Sequence, residues 1–84
     1  MYEVISMEVK LFYRTQRDLA TALNKLVDAY WEEKIKEQEL ISGIKSIHIN
    51  NQDKLMKNNE FTTVVQQQCG KRRLIIVARI LEIK

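Results

Sequence analysis

The sequence predicts an all-α domain: a three- to four-helix bundle built on a helical hairpin, with a short β-strand at its N-terminal end. Three observations support this. The 84 residues contain no proline and only two glycines, Gly43 and Gly70, so little interrupts long helices. Apolar residues recur at spacings of three and four along most of the chain. That stripe changes phase at Gly70, which divides the C-terminal third into two helices rather than one.

Length and composition set the frame. A chain of 84 residues, 45% of them apolar, buries one hydrophobic core and no more. A core this small has a thin margin of stability, and association with a second copy is a common remedy. The single cysteine, Cys69, excludes an internal disulfide and points to a reducing compartment, the cytoplasm. No apolar run approaches the ~20 residues that span a bilayer. Residues 1–13 form the N-terminal extended segment, and residues 14–84 a single helical domain.

Within the first segment, Tyr2-Glu3-Val4-Ile5 is rich in strand formers. Val9, Leu11 and Tyr13 alternate with Glu8, Lys10 and Phe12, which predicts a short strand needing a partner edge. Met7 offers a second start, which would make the preceding residues a leader. Thr15 then serves as an N-cap, with Asp18 in the first turn where the helix dipole favours negative charge. Leu19, Leu23, Leu26, Val27, Tyr30 and Trp31 make the core stripe of a helix from about Gln16 to Lys34. Arg17, Asn24, Lys25, Asp28, Glu32 and Glu33 fall off it.

A second helix from Glu37 to about His48 sets Leu40, Ile41, Ile44, Ile47 and His48 on one side. The short connection makes the two helices a hairpin. Asn50-Asn51 suits a left-handed helix end. A turn over Asp53–Lys57 carries Leu55 and Met56 inward before Asn58-Asn59 breaks the chain. From there Phe61, Val64, Val65, Gln68 and Cys69 share one helical face, while Leu74, Val77, Ala78 and Leu81 would point almost the opposite way on a continuous helix. Two helices over residues 61–69 and 71–83, joined at Gly70, resolve the conflict. The arrangement places Lys71, Arg72 and Arg73 at a helix N-terminus, where the dipole repels cations. Something acidic is therefore expected beside them.

Few residues suggest chemistry. One histidine, His48, and one cysteine cannot make a tetrahedral metal site. Gly70-Lys71 lacks the rest of a phosphate-cradling loop. Adjacent Glu32 and Glu33 point in different directions on a helix and serve poorly as a general acid and base. No catalytic residue, cofactor, metal or small-molecule substrate is predicted. Cys69, near three cations, is either a reactive thiol or a small core residue, the second being the usual case. Tyr30-Trp31 is expected to cap the core beneath the interhelical turn rather than form a binding platform.

Charge is the remaining signal. Lys71, Arg72, Arg73, Arg79 and Lys84 against Glu82 leave residues 61–84 at +4, whereas residues 1–60 net −1. Lys71, Arg72, Arg73 and Arg79 are thus the candidate anion- or nucleic-acid-binding residues. Gly70 between Val64–Cys69 and a basic helix outlines a helix-turn-helix. Gln66 and Lys71 stand where that motif wants a small and an apolar residue, and Leu74–Ala78 leaves little face for bases. Internal pairing of the cations with Glu32, Glu33, Glu37 or Glu39 is the favoured account.

The block Leu19–Trp31 together with Gly70-Lys71-Arg72-Arg73-Leu74 resembles a family of small uncharacterised proteins of clostridia and related Firmicutes, over Leu11 to Leu81. The resemblance implies a cytosolic bacterial protein, associated with mobile elements, and brings no activity, ligand or catalytic residue. The resulting expectation is a small non-enzymatic interaction module that forms a homodimer through its apolar C-terminal helix, with the N-terminal segment as a second contributing surface. A DNA-binding regulator is the alternative.

Overall fold

The computed structural model describes residues 12–82. The strand expected in the first thirteen residues falls outside that range except for Phe12 and Tyr13, which have no regular structure. Four helices follow: α1 (Gln16–Trp31), α2 (Glu37–Asn50), the one-turn α3 (Gln52–Leu55) and α4 (Thr63–Leu81). Strands β1 (Met56–Lys57) and β2 (Glu60–Phe61) pair antiparallel between α3 and α4, with Met56 opposite Phe61. The all-α expectation holds, with this two-residue hairpin as its only strand pairing among the described residues.

Thr15 caps α1 as expected, its hydroxyl oxygen accepting from the Asp18 N–H at 3.0 Å. The helix stops at Trp31, three residues before the predicted end. Glu33 takes a left-handed φ of 62°, and Lys34 N donates to the Ala29 carbonyl at 2.8 Å while Glu33 N donates to that of Tyr30 at 3.0 Å. This pair of bonds is a Schellman closure. Polar Glu32–Lys34 carries no hydrophobic phase, so periodicity alone could not mark the stop. Ile35 is buried in the connection. The Glu39 carboxylate accepts from Lys36 N at 3.0 Å and opens α2 as half of a capping box.

Asn51 ends α2 differently from expectation. Its φ is −139°, not left-handed, and its buried side chain does the work. Asn51 Oδ1 accepts from Tyr13 N and Nδ2 donates to the Ile47 carbonyl, both at 3.0 Å. Its own carbonyl accepts from Lys54 N and Leu55 N, which starts α3. The break foreseen at Asn58-Asn59 is a tight hairpin turn: both residues have positive φ, 55° and 67°, the conformation of a type I′ turn that asparagine tolerates.

The core is one cluster. Leu19, Leu23 and Val27 of α1, Leu40, Ile44 and Ile47 of α2, Leu55 of α3, and Val65, Cys69 and Val77 of α4 are buried together. Each fully buried leucine or isoleucine contributes about 1.5–3 kcal/mol of transfer free energy. The phase change at Gly70 is present as a kink: its φ is 81° and ψ 165°, while the residues on either side are helical. Thr63–Cys69 and Lys71–Leu81 are thus two limbs of α4, and the joint is a single residue.

Candidate functional site

The joint is assembled by α1. Four residues along its length, Ala20, Asn24, Asp28 and Trp31, stand at spacings of four, four and three, so they share one face. Each meets α4 at the break. The Cys69 thiol donates to the Ala20 carbonyl at 3.7 Å. Asn24 Nδ2 donates to the Gln68 carbonyl at 3.0 Å, leaving Asn24 Oδ1 buried without a partner. Arg73 grips Asp28 with two parallel bonds of 2.9 Å, Nε to Oδ1 and Nη2 to Oδ2. Its remaining Nη1 donates to the Cys69 carbonyl at 3.1 Å. A helix interrupted at Gly70 leaves carbonyls of its first limb exposed to loss of their partners, and side chains of Asn24 and Arg73 take two of them.

The acidic neighbour expected beside the cationic triplet is therefore Asp28, not Glu32, Glu33, Glu37 or Glu39. Asp28 lies inside α1, on the face turned to α4. The four glutamates lie past the end of α1 or in the first turn of α2, and all are exposed. The nearby carboxylate holds the Arg73 guanidinium still more firmly protonated than usual, chiefly through its hydrogen bond. The pair is partly exposed, so its Coulombic gain is screened and its geometry matters more than its charge.

The four candidate cations thus divide. Arg73 is turned inward as the pin of the joint. Lys71, Arg72 and Arg79 are exposed, and among the described residues none of the three has an ion pair; the pairs present are Arg73–Asp28 and the surface Lys34–Glu32. Lys71, Ile75 and Arg79 stand one turn apart, with Arg72 beside them, so the solvent face of the second limb carries three cations around an isoleucine that is 50% exposed. The Arg72 guanidinium lies 5.4 Å from the centroid of the Trp31 ring, a cation–π distance. Trp31 is itself 41% exposed. It is a surface partner of Arg72 and not the core cap foreseen for Tyr30-Trp31; only Tyr30 is half-buried against the core.

The inner angle of the kink holds an open, largely apolar groove of about 500 Å³, lined by Phe61, Gln66, Lys71, Leu74, Ile75 and Ala78. Cys69, one residue before the joint, is buried. Desolvation pushes its thiol from 9.0 up to about 11 against the opposing pull of Arg73, which marks it as an inert core residue rather than a nucleophile. His48 is half-buried on α2. Among the described residues, no three histidine, cysteine, aspartate or glutamate side chains gather to hold a metal ion. No described helix is long and apolar enough to cross a membrane.

Asn24 and Asp28 were missed as joint residues because they sit off the apolar stripe of α1. The signal that could have found them is their spacing of four and eight from Ala20, in a helix whose neighbour carries a lone glycine followed by three cations.

A family model described as a conserved hypothetical protein matches residues 10–82. No curated protein and no solved structure matches the chain.

Proposed function

We infer a role for this chain, which belongs to that conserved hypothetical protein family, as a small non-enzymatic interaction module that self-associates through the second limb of α4. The observation that carries this reading is the uncovered apolar angle of the kink, where Ile75 is half exposed beside Leu74, Ala78 and Phe61. Apolar surface gathered in a concave groove is a usual sign of a docking site. The lone buried cysteine and the resemblance to clostridial and Firmicutes proteins favour a bacterial cytoplasm as its setting. Light scattering over a micromolar concentration series tests the reading. The expected result is a dimer mass that Ile75→Glu reduces to monomer, while Ile49→Glu, at a comparably exposed isoleucine on α2, leaves it unchanged. A monomer at every concentration overturns it.

One observation favours a second reading, binding to duplex DNA: Lys71, Arg72 and Arg79 face solvent together. Phosphate neutralisation by such a face gives salt-sensitive affinity. Against a helix-turn-helix stands the joint itself, one residue where that motif has a turn of three or four. Anisotropy of a labelled mixed-sequence duplex at low salt checks this. Binding that weakens steeply with salt and disappears in a Lys71→Ala/Arg72→Ala/Arg79→Ala variant supports it, and no binding at low salt rejects it.

A further inference from the structure

We propose that the second limb of α4 is an exchangeable arm: two copies of this chain straighten α4 through Gly70, and each seats its Lys71–Leu81 limb on the body of the other. Arg73 of each copy then grips Asp28 of its partner copy. The inference rests on the self-association reading and specifies how the second copy is held.

The bend resides in one residue. Thr63–Leu81 is helical on both sides of Gly70, and glycine enters the helical region as readily as the region it occupies here. A Cβ built at Gly70 meets nothing within 4 Å, so no packing holds the bend from that side. Straightening also returns the carbonyls now served by Asn24 and Arg73 to ordinary helical partners. What holds the limb down is its seat: Val77 fully buried, Leu74, Ile76, Ile80 and Leu81 packed on the core, and the Arg73 pin. A second copy offers an identical seat, so every one of these contacts can be remade between copies, the condition for domain swapping. A joint of one residue between two packed elements is the kind of short hinge that invites it.

Exchange and simple abutment place the charges of the second limb differently. Two limbs packed antiparallel about Ile75 would set Lys71 of each copy against Arg79 of the other. Two straightened helices packed antiparallel about Gly70 instead set each cationic limb beside the first limb of the partner. That first limb, Thr63–Cys69, contains no charged residue, and its Gln66, Gln67 and Gln68 are all exposed. Ile75 then lies beside an uncharged helix, while the Lys71–Arg73 triplets of the two copies, each starting one residue from Gly70, come together at the crossing. In this arrangement the elbow groove opens, and the residues that line it form the new contact between copies.

The deciding experiment mixes two full-length variants, Asp28→Arg and Arg73→Asp. Each alone opposes like charges at the pin in every arrangement. In a reciprocal exchange between one of each, both pins are restored with opposite charges; without exchange, neither is. The expected result is a heterodimer by light scattering, with a thermal midpoint above that of either variant alone, and this reads equally well if the single variants are unfolded. Recovery of neither mass nor midpoint, while the native chain remains a dimer, overturns exchange and leaves self-association standing. A native chain that is only monomer removes both. Gly70→Ala gives an independent check, since its methyl group meets nothing beyond the local backbone within 4 Å: exchange predicts a shift of the population to dimer, and a purely monomeric, less stable variant contradicts it.

Discussion

α1 and α4 are neighbours of similar length, and they are built on opposite terms. In α1 local rules and packing agree: Thr15 caps it, Asp18 suits its positive end, and six residues of its inner face are buried. It closes in a hydrogen-bonded Schellman turn. α4 has an N-cap too, Thr62, whose hydroxyl accepts from Val65 N at a longer 3.4 Å and donates to the Lys54 carbonyl at 3.2 Å. Beyond that the agreement ends. Only Val65, Cys69 and Val77 of its 19 residues are fully inside, its middle is bent, and three cations stand at the head of its second limb. Where local preference and global fold conflict, natural proteins usually have a functional use for the conflict. α1 is the frame on which α4 is held in a shape it would not adopt alone.

The comparison can be broken at its largest difference first. Leu23→Ala empties a fully buried position in α1 and is expected to cost about 2–5 kcal/mol, enough to unfold a domain of this size in large part. Denaturant melts followed by circular dichroism measure it. Gly70→Ala comes next: its φ of 81° is a strained region for any residue with a Cβ, and the bent monomer is expected to lose about 1–3 kcal/mol. Because nothing beyond the adjoining residues and local helix backbone lies within 4 Å of the added methyl, the loss reports local backbone strain. The same melts at the lowest workable concentration give the value.

Smaller effects sharpen the contrast. Asp28→Asn keeps the shape of the α1 side chain and removes the charge that answers Arg73. A charge-assisted hydrogen bond is worth about 1.5–3 kcal/mol when sheltered, and partial exposure of this pair brings the expected loss to about 1 kcal/mol. Amide exchange should then quicken in the second limb while α1 stays protected. A change confined to neither element would contradict the role of Asp28 as a pin. Arg72→Ala, which removes only the cation lying over Trp31, is expected to cost about 0.5–1 kcal/mol. As Trp31 is the single tryptophan, its fluorescence reads that contact directly, and an unchanged spectrum would show that the stacking is absent in solution.

How much of this was legible in the sequence follows from the same contrast. The start of α1, its buried stripe as far as Tyr30 though not Trp31, the core face of α2 and the slip at Gly70 were readable, because periodicity and capping are local signals. The bend was readable for a special reason: the two limbs bury opposite faces, and only a non-helical residue between Cys69 and Lys71 reconciles them. What was not legible depended on partners far along the chain. Asp28 and Arg73 are 45 residues apart, and four glutamates clustered nearer the hairpin turn looked like better company for the cations. The stop of α1 at Trp31 depends on Glu33 entering the left-handed region without the usual glycine. The hairpin of Met56–Phe61 is too short to show alternation, and Asn58-Asn59 is a weaker turn signature than asparagine followed by glycine.

The position of Cys69 has a practical consequence. This chain has one thiol; it lies against Ala20 one residue before the bend, and Arg73, the anchor of the second limb, bonds the carbonyl of the same residue. A small alkylating reagent added to the native protein would therefore act as a chemical clock, consumed only during those moments when the joint is open. The rate of modification, compared with that in denaturant, would count how often the molecule opens, with no label added and no residue changed.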